Sequence, residues 1–415
     1  MTNGRVGVRG ILLLGPAFVA AIAYVDPGNV AANLSAGARY GYLLVWVLVA
    51  ANLMAALIQY QSAKLGLVTG RSLPELLGER LRTGPRITFW VQAELIAAAT
   101  DLAEVIGGAI ALHLLFDLPL VVGGLIVGAV SMVLLAVQSR FGQRPFEFVI
   151  IGLLAIIAIG FLAGLAVRPP DAASVLGGLV PRFAGSGSVL LAASILGATV
   201  MPHAIYVHSA LARDRHGIPD ASSGTAAVGR PVRRLLRITK WDVGTALTLA
   251  GIINIGMLLL AATDLRGRAG VDTIEGAHAV IQASLGPVIA VIFSVGLLTS
   301  GLASTSVGSY AGATIMAGLL RRRIPLLVRR VATLVPALLL LGFGADPTAI
   351  LVISQVILSF GIPFALIPLL RLTTDVKLMG VFANRPPIRI LLVIAIVLVI
   401  ALNLALLVLV FSGGA

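Results

Sequence analysis

From residue 10 to residue 412 the chain alternates long apolar runs with short polar joins, and the runs lack the two-residue alternation of half-buried strands. Eleven runs can be drawn, at 10–36, 41–66, 87–113, 118–139, 146–167, 187–213, 242–263, 284–319, 325–343, 347–371 and 388–412. Most reach the roughly 20 residues that a helix needs to cross the hydrocarbon core of a bilayer. Barrel strands are excluded, because they alternate and are about half as long. Proline and charge punctuate the joins, as in Arg168-Pro169-Pro170-Asp171 and Arg385-Pro386-Pro387. The eighth run is long enough to include a helix lying on the membrane surface. The first is too long for a leader peptide and has no small-residue cleavage site after it, so it reads as a span. The pattern predicts an all-α polytopic membrane protein.

Composition agrees. Of 415 residues 59% are hydrophobic and only 11% charged, where a soluble domain carries roughly a quarter charged. The net charge of +13 is explained by where the cations lie. With the N-terminus placed in the cytoplasm, 25 of the 30 Lys and Arg fall on the cytoplasmic side, and only Arg39, Arg168, Arg182, Arg266 and Arg268 on the other. This predicts a protein of the cell (inner) membrane with its N-terminus inside and its C-terminus outside. The basic balance is therefore a topology signal, with no nucleic-acid partner implied. The cluster Arg230, Arg233, Arg234, Arg237 and Lys240 faces anionic lipid heads. There is no cysteine, which excludes disulfides and thiolate metal ligands. No phosphate-binding loop ending in Lys-Ser or Lys-Thr occurs, so ion gradients are the expected energy source and no nucleotide or other cofactor is expected. No obligate protein partner is evident.

Two of the runs are interrupted by polar, Pro-containing breaks: Asp26-Pro27-Gly28-Asn29 in the first and Met201-Pro202-His203 in the sixth. The second break lies five spans after the first, and an odd offset inverts the second copy. That is the layout of secondary transporters in which two broken helices meet at the midplane around the substrate. It predicts repeats over 10–167 and 187–371, with 388–412 an added helix. Asp26 lies near mid-depth, where a carboxylate is costly and is functional by default. Pro27 cannot donate to the carbonyl of Ala23, nor Pro202 to that of Ala198, so both oxygens are available to a cation beside Asp26 and the Asn29 amide. Met201 taken alone reads as packing; beside a Pro break and opposite an acid it reads as a soft ligand, suited to transition metals and not to Mg²⁺ or Ca²⁺.

These two motifs, the eleven-span layout, Ala36-Gly37-Ala38-Arg39-Tyr40-Gly41-Tyr42, and Thr100-Asp101-Leu102-Ala103-Glu104 resemble the Nramp family of divalent metal transporters over nearly the whole chain. The resemblance implies a leucine-transporter-like fold and proton-coupled uptake of Mn²⁺ and Fe²⁺, with Cd²⁺, Co²⁺ or Zn²⁺ accepted. It implies that Asp26, Asn29 and Met201 bind metal through side chains, and Ala23 and Ala198 through carbonyls in different states. Gln355 would be a further ligand of some states, although an amide at that depth also suits an interhelical hydrogen bond. The metal is substrate, not a resident cofactor, and no enzymatic activity is expected. Asp101 and Glu104, spaced i, i+3 on one face, read either as a proton relay or as a static ion-pair network. In the family that helix forms part of a proton route, with Arg215 and Arg330 as matching basic counterparts. Histidine titrates near neutral pH, so His203 and His208 in the sixth run are candidate proton carriers. The resemblance places His203 near the site and not as a ligand. A cation-coupled amino-acid transporter of the same fold is the alternative.

Overall fold

The computed structural model describes residues 15–141, 143–216, 229–268, 270–271, 273–320 and 326–412. Residues 10–14 of the first predicted span and 325 of the ninth lie outside these. Among the described residues all regular structure is helical. The elements are α1 (Pro16–Ile22), extended by a 3₁₀ turn (Ala23–Val25), α2 (Pro27–Tyr40), α3 (Val45–Thr69), α4 (Leu73–Arg80), α5 (Thr83–Phe116), α6 (Leu120–Phe141) and α7 (Gln143–Val167). They continue with α8 (Ala172–Gly177), α9 (Ser186–Thr199), α10 (Pro202–His216), α11 (Gly229–Asp264), α12 (Ile274–Leu285), α13 (Pro287–Leu319), α14 (Leu326–Gly342), α15 (Pro347–Thr374), α16 (Val376–Met379) and α17 (Pro386–Phe411).

Seven of the described helical stretches are long and apolar enough to cross a bilayer, and the shorter apolar segments Pro16–Val25, Leu120–Val133, Ile151–Val167 and Arg330–Gly342 fall on the remaining predicted spans. The first and sixth spans are each two half-helices, α1 with α2 and α9 with α10, parted where Pro27 and Pro202 withhold the backbone donor. The eighth predicted span, 284–319, begins instead at Pro287. Gly286, with φ +94°, separates it from the distinct helix α12. Sequence hydropathy ran across this join because both sides are apolar.

The molecule is apolar outside as well as inside. On α17, Ile390, Ile394, Val397, Leu404 and Val408 are exposed while Leu392, Ala395, Val399 and Leu406 are buried, both sets at helical spacing. A soluble helix would carry charge on the first face; this one presents it to lipid. Asp26, Asn29 and Gln355 are buried where α2, α9 and α15 pack on one another. The fold is leucine-transporter-like, with broken first and sixth spans and an eleventh helix.

Candidate functional site

The site is built from the two breaks. Asp26 leaves the 3₁₀ turn in extended conformation (φ −75°, ψ 168°) and caps α2: the backbone N–H of Asn29 donates to Asp26 Oδ1 at 2.7 Å. The capping geometry follows from the sequence, since Pro27 at the first helical position has no N–H to satisfy and the following donors need an acceptor. Asn29, one turn on, donates through Nδ2 to Asp26 Oδ1 at 2.9 Å and to the carbonyl oxygen of Ala198 at 3.1 Å. One side-chain amide thus ties the first break to the second. From α15, Gln355 Nε2 donates to Asp26 Oδ2 at 3.3 Å. A Cβ on Gly28 would lie 1.6 Å from that nitrogen, so the glycine is what lets α15 bring its amide to the carboxylate.

Asp26, Asn29 and Gln355 are fully buried. Both amides spend N–H groups on acceptors, which leaves the oxygens Asn29 Oδ1 and Gln355 Oε1, together with Thr199 Oγ1 at the end of α9, buried with no hydrogen-bond partner. Buried oxygens are rarely left so. A carboxylate, a helix-end carbonyl and unpartnered amide oxygens form a donor set whose chemistry suits a cation. Met201 is buried in the second break, between the end of α9 and Pro202, and Ala23 is buried in the 3₁₀ turn. The other carbonyls freed by the first break are taken: Tyr24's oxygen accepts from Asn254 Nδ2 at 2.6 Å, and Val25's from Ser300 Oγ.

A second cluster adjoins the first. Pro27 packs on Gly107 of α5, where a Cβ would lie 2.0 Å from the proline ring, and Glu104 lies one turn before that glycine. Asp101 and Glu104 are both buried. Ser304 Oγ donates to Glu104 Oε1 at 2.7 Å, and the buried Arg330 sets its Nη1 3.5 Å from Asp101 Oδ1 while Nε donates to Ser131 Oγ at 2.9 Å. His203 Nδ1 is 3.4 Å from Thr100 Oγ1, so the residue after Pro202 touches the same face of α5. Asp26, Asp101, Glu104, His203 and Arg330 are therefore brought together. Arg215 is not: it stands thirteen residues after Pro202 on α10, about 20 Å along the helix.

Sequence reasoning missed several supporting groups. Asn254 holds the Tyr24 carbonyl and accepts from Asn33 Nδ2 at 2.8 Å. Gln59 links His208 Nδ1 (2.8 Å) to the Tyr24 hydroxyl. Asp242 of α11 accepts from the backbone N–H groups of Gly15 and Ala17, each at 3.0 Å, and so caps α1 from a distant helix. The available signal was a polar residue within an apolar run; its partner could not be named without the fold.

Residues 17–409 match the family described as natural resistance-associated macrophage protein-like, Nramp. The chain belongs to the Nramp family. It is 62% identical over 368 residues to the divalent metal cation transporter MntH of Mycobacterium tuberculosis (strain H37Rv), covering 89% of this chain and 84% of that one. Among solved structures it resembles the manganese transporter of Eremococcus coleocola, with a TM-score of 0.83 and 29% identity over 97% of this chain and 87% of that one. MhsT, solved with L-phenylalanine, shares the fold alone, with a TM-score of 0.60 at 13% identity over 96% of this chain and 98% of that one. The Nramp chain described here is thus a multi-pass membrane protein of a metal-transporter family, and the two breaks lie well inside the matched region.

Proposed function

We propose that this Nramp chain imports divalent transition-metal ions, Mn²⁺ or Fe²⁺, coupled to inward proton flow by alternating access. One observation carries the reading: two helix breaks and α15 converge on a buried carboxylate, Asp26, surrounded by a helix-end carbonyl and the unpartnered oxygens of Asn29 and Gln355. Asp26, Asn29, Met201, Gln355 and the carbonyls of Ala23 and Ala198 would hold the dehydrated ion at different stages. The sulfur of Met201 favours softer ions over Ca²⁺ and Mg²⁺. The names of the relatives, divalent metal cation transporter and manganese transporter, agree with that chemistry.

The amino-acid reading meets a chemical obstacle. Carriers of this fold grip a substrate carboxylate with the free N–H groups of a half-helix N-terminus. Here the N-terminus of α2 is already occupied by Asp26's own carboxylate, which repels a second anion and attracts a cation.

Protons would pass from Asp26 by way of the adjoining Asp101, Glu104 and His203 toward the cytoplasm, with Arg330 holding the acids in place. In this reading the repeats run over 10–167 and 187–371, and the distribution of Lys and Arg puts the N-terminus inside. The test is Mn²⁺ uptake into proteoliposomes carrying an internal pH dye. Metal entry with concurrent acidification supports coupled import; metal entry with no pH change removes the proton from the mechanism, and saturable phenylalanine uptake without metal flux would replace the metal with an amino acid.

A further inference from the structure

Away from the site, α3, α11 and the segment leading into α17 enclose a cavity of about 540 Å³ near the end of α3 and the starts of α11 and α17. Among the described residues three cations line it, Lys64, Lys240 and Arg385, and no acidic side chain does. Lys64 is only 6% exposed. Its Nζ donates to Asn384 Oδ1, and Asn384 is itself fixed by donating to Thr373 Oγ1 at 2.8 Å through its side chain and to the Thr373 carbonyl at 2.9 Å through its backbone. One of the three ammonium donors is thus used on a neutral amide, and the described lining residues supply no counter-ion. A buried cation without an opposing charge is costly, and an anion entering the cavity would compensate it. Gln61, fully within the wall, adds an oxygen, Oε1, that is buried and lacks a hydrogen-bond partner. It asks for a donor, which a phosphate diester cannot supply but a hydroxyl can.

The rest of the lining is apolar, including Leu57, Val243 and Phe382. Gly244 faces open space, with no atom within 4 Å of an added Cβ, and Val381 at the edge is 82% exposed. A free phosphate needs no such wall, whereas an acyl chain does. Basic pockets between membrane helices on the cytoplasmic side bind anionic headgroups, and Arg385 can meet a phosphate through two parallel N–H donors. We infer that this cavity binds one anionic phospholipid with a hydroxylated headgroup, its phosphate held by Lys64, Lys240 and Arg385, a headgroup hydroxyl donating to Gln61, and an acyl chain along Leu57 and Val243. Bound there, the lipid joins α3, α11 and the entry to α17 without touching the metal site.

The purified full chain, titrated with phosphatidylglycerol or phosphatidylcholine and read by native mass spectrometry, tests this. The wild type should retain phosphatidylglycerol about tenfold better than phosphatidylcholine, and Lys240→Gln combined with Arg385→Gln should erase that preference, each cation near an anionic headgroup being worth a several-fold change. Both residues are exposed, so the double variant leaves the fold intact. Gly244→Phe fills the cavity while keeping every charge, and should also release the lipid. Wild-type retention in both variants would place the lipid elsewhere and overturn the inference. Saturable binding of inorganic phosphate with no retention of phosphatidylglycerol would also overturn it, in favour of a free-anion site.

Discussion

Asp26 caps a helix with the same carboxylate that the proposed metal site would use. Its Oδ1 caps α2 through the Asn29 N–H and also receives the Asn29 amide, so the residue that opens the helix also pins the new end. Asp26→Ala should therefore abolish Mn²⁺ uptake while the protein still inserts, with metal affinity down by about a hundredfold, the worth of one lost charged contact of roughly 3 kcal/mol. Calorimetry on the detergent-purified variant checks this, and wild-type uptake by a well-folded variant would refute the site. Met201 tests softness instead. Met201→Ala removes the sulfur and admits water, whose oxygen suits every divalent ion, so discrimination should change more than capacity. Ca²⁺ should compete with Mn²⁺ better in the variant by about five- to thirty-fold, on the order of 1–2 kcal/mol; unchanged competition would make Met201 a packing residue. At this scale the sequence was readable where a residue breaks a rule: an acid beside Pro-Gly in mid-span, or a Met before a mid-span Pro. It was silent on Asn254 and Ser300, which look like ordinary polar residues in apolar helices and whose role, holding the Tyr24 and Val25 carbonyls, exists only across 230 and 275 residues of separation.

Between elements, the half-helices are short and depend on what holds them. α1 has seven residues, too few to be stable alone, and no side-chain cap of its own. Asp242 supplies the missing acceptors from α11 through two backbone contacts of 3.0 Å. Asp242→Ala should cost about 2 kcal/mol of local stability. In hydrogen exchange, the amides of residues 17–22 should then exchange roughly thirtyfold faster, while the amides of α17 stay unchanged; uniform acceleration of both would mean global destabilisation and no specific clamp. The acid pair on α5 is the other coupling between elements, joined to α13 by Ser304 and to α14 by Arg330. Asp101→Asn with Glu104→Gln should slow proton entry by more than tenfold and change metal affinity by less than about threefold. Equal losses of both would favour a static network. Element positions were legible because each run is apolar overall and the two breaks announce themselves with Pro; the join at Gly286 was not, since hydropathy does not register the φ of +94° that ends α12.

For the whole molecule the governing feature is asymmetry of charge on a uniformly apolar body. Lipid contacts the sides, so Lys and Arg are expected at the ends of the spans, and the eleven-span reading of the sequence assigns 25 of the 30 to one side. Positive segments are retained on the cytoplasmic side during insertion, and the effect is counted over short loops and span ends, which is where these residues lie. Acidic residues contribute little to this rule, so the presence of Asp and Glu at both ends does not weaken it. The chain has no cysteine, which makes orientation directly measurable, because any thiol label must report an introduced site. Thr83, at the start of α5, and Ala173, in α8 beyond α7, are both exposed. Ala173→Cys should react with a membrane-impermeant maleimide in intact cells, and Thr83→Cys only after permeabilisation. The two sites are separated by three spans, α5, α6 and α7, an odd number, so they must lie on opposite sides and the pair controls for itself. Labelling of Thr83→Cys alone in intact cells would invert the topology, turning the proposed inward path for metal and protons into an outward one. Labelling of both at equal rates would break the eleven-span arrangement.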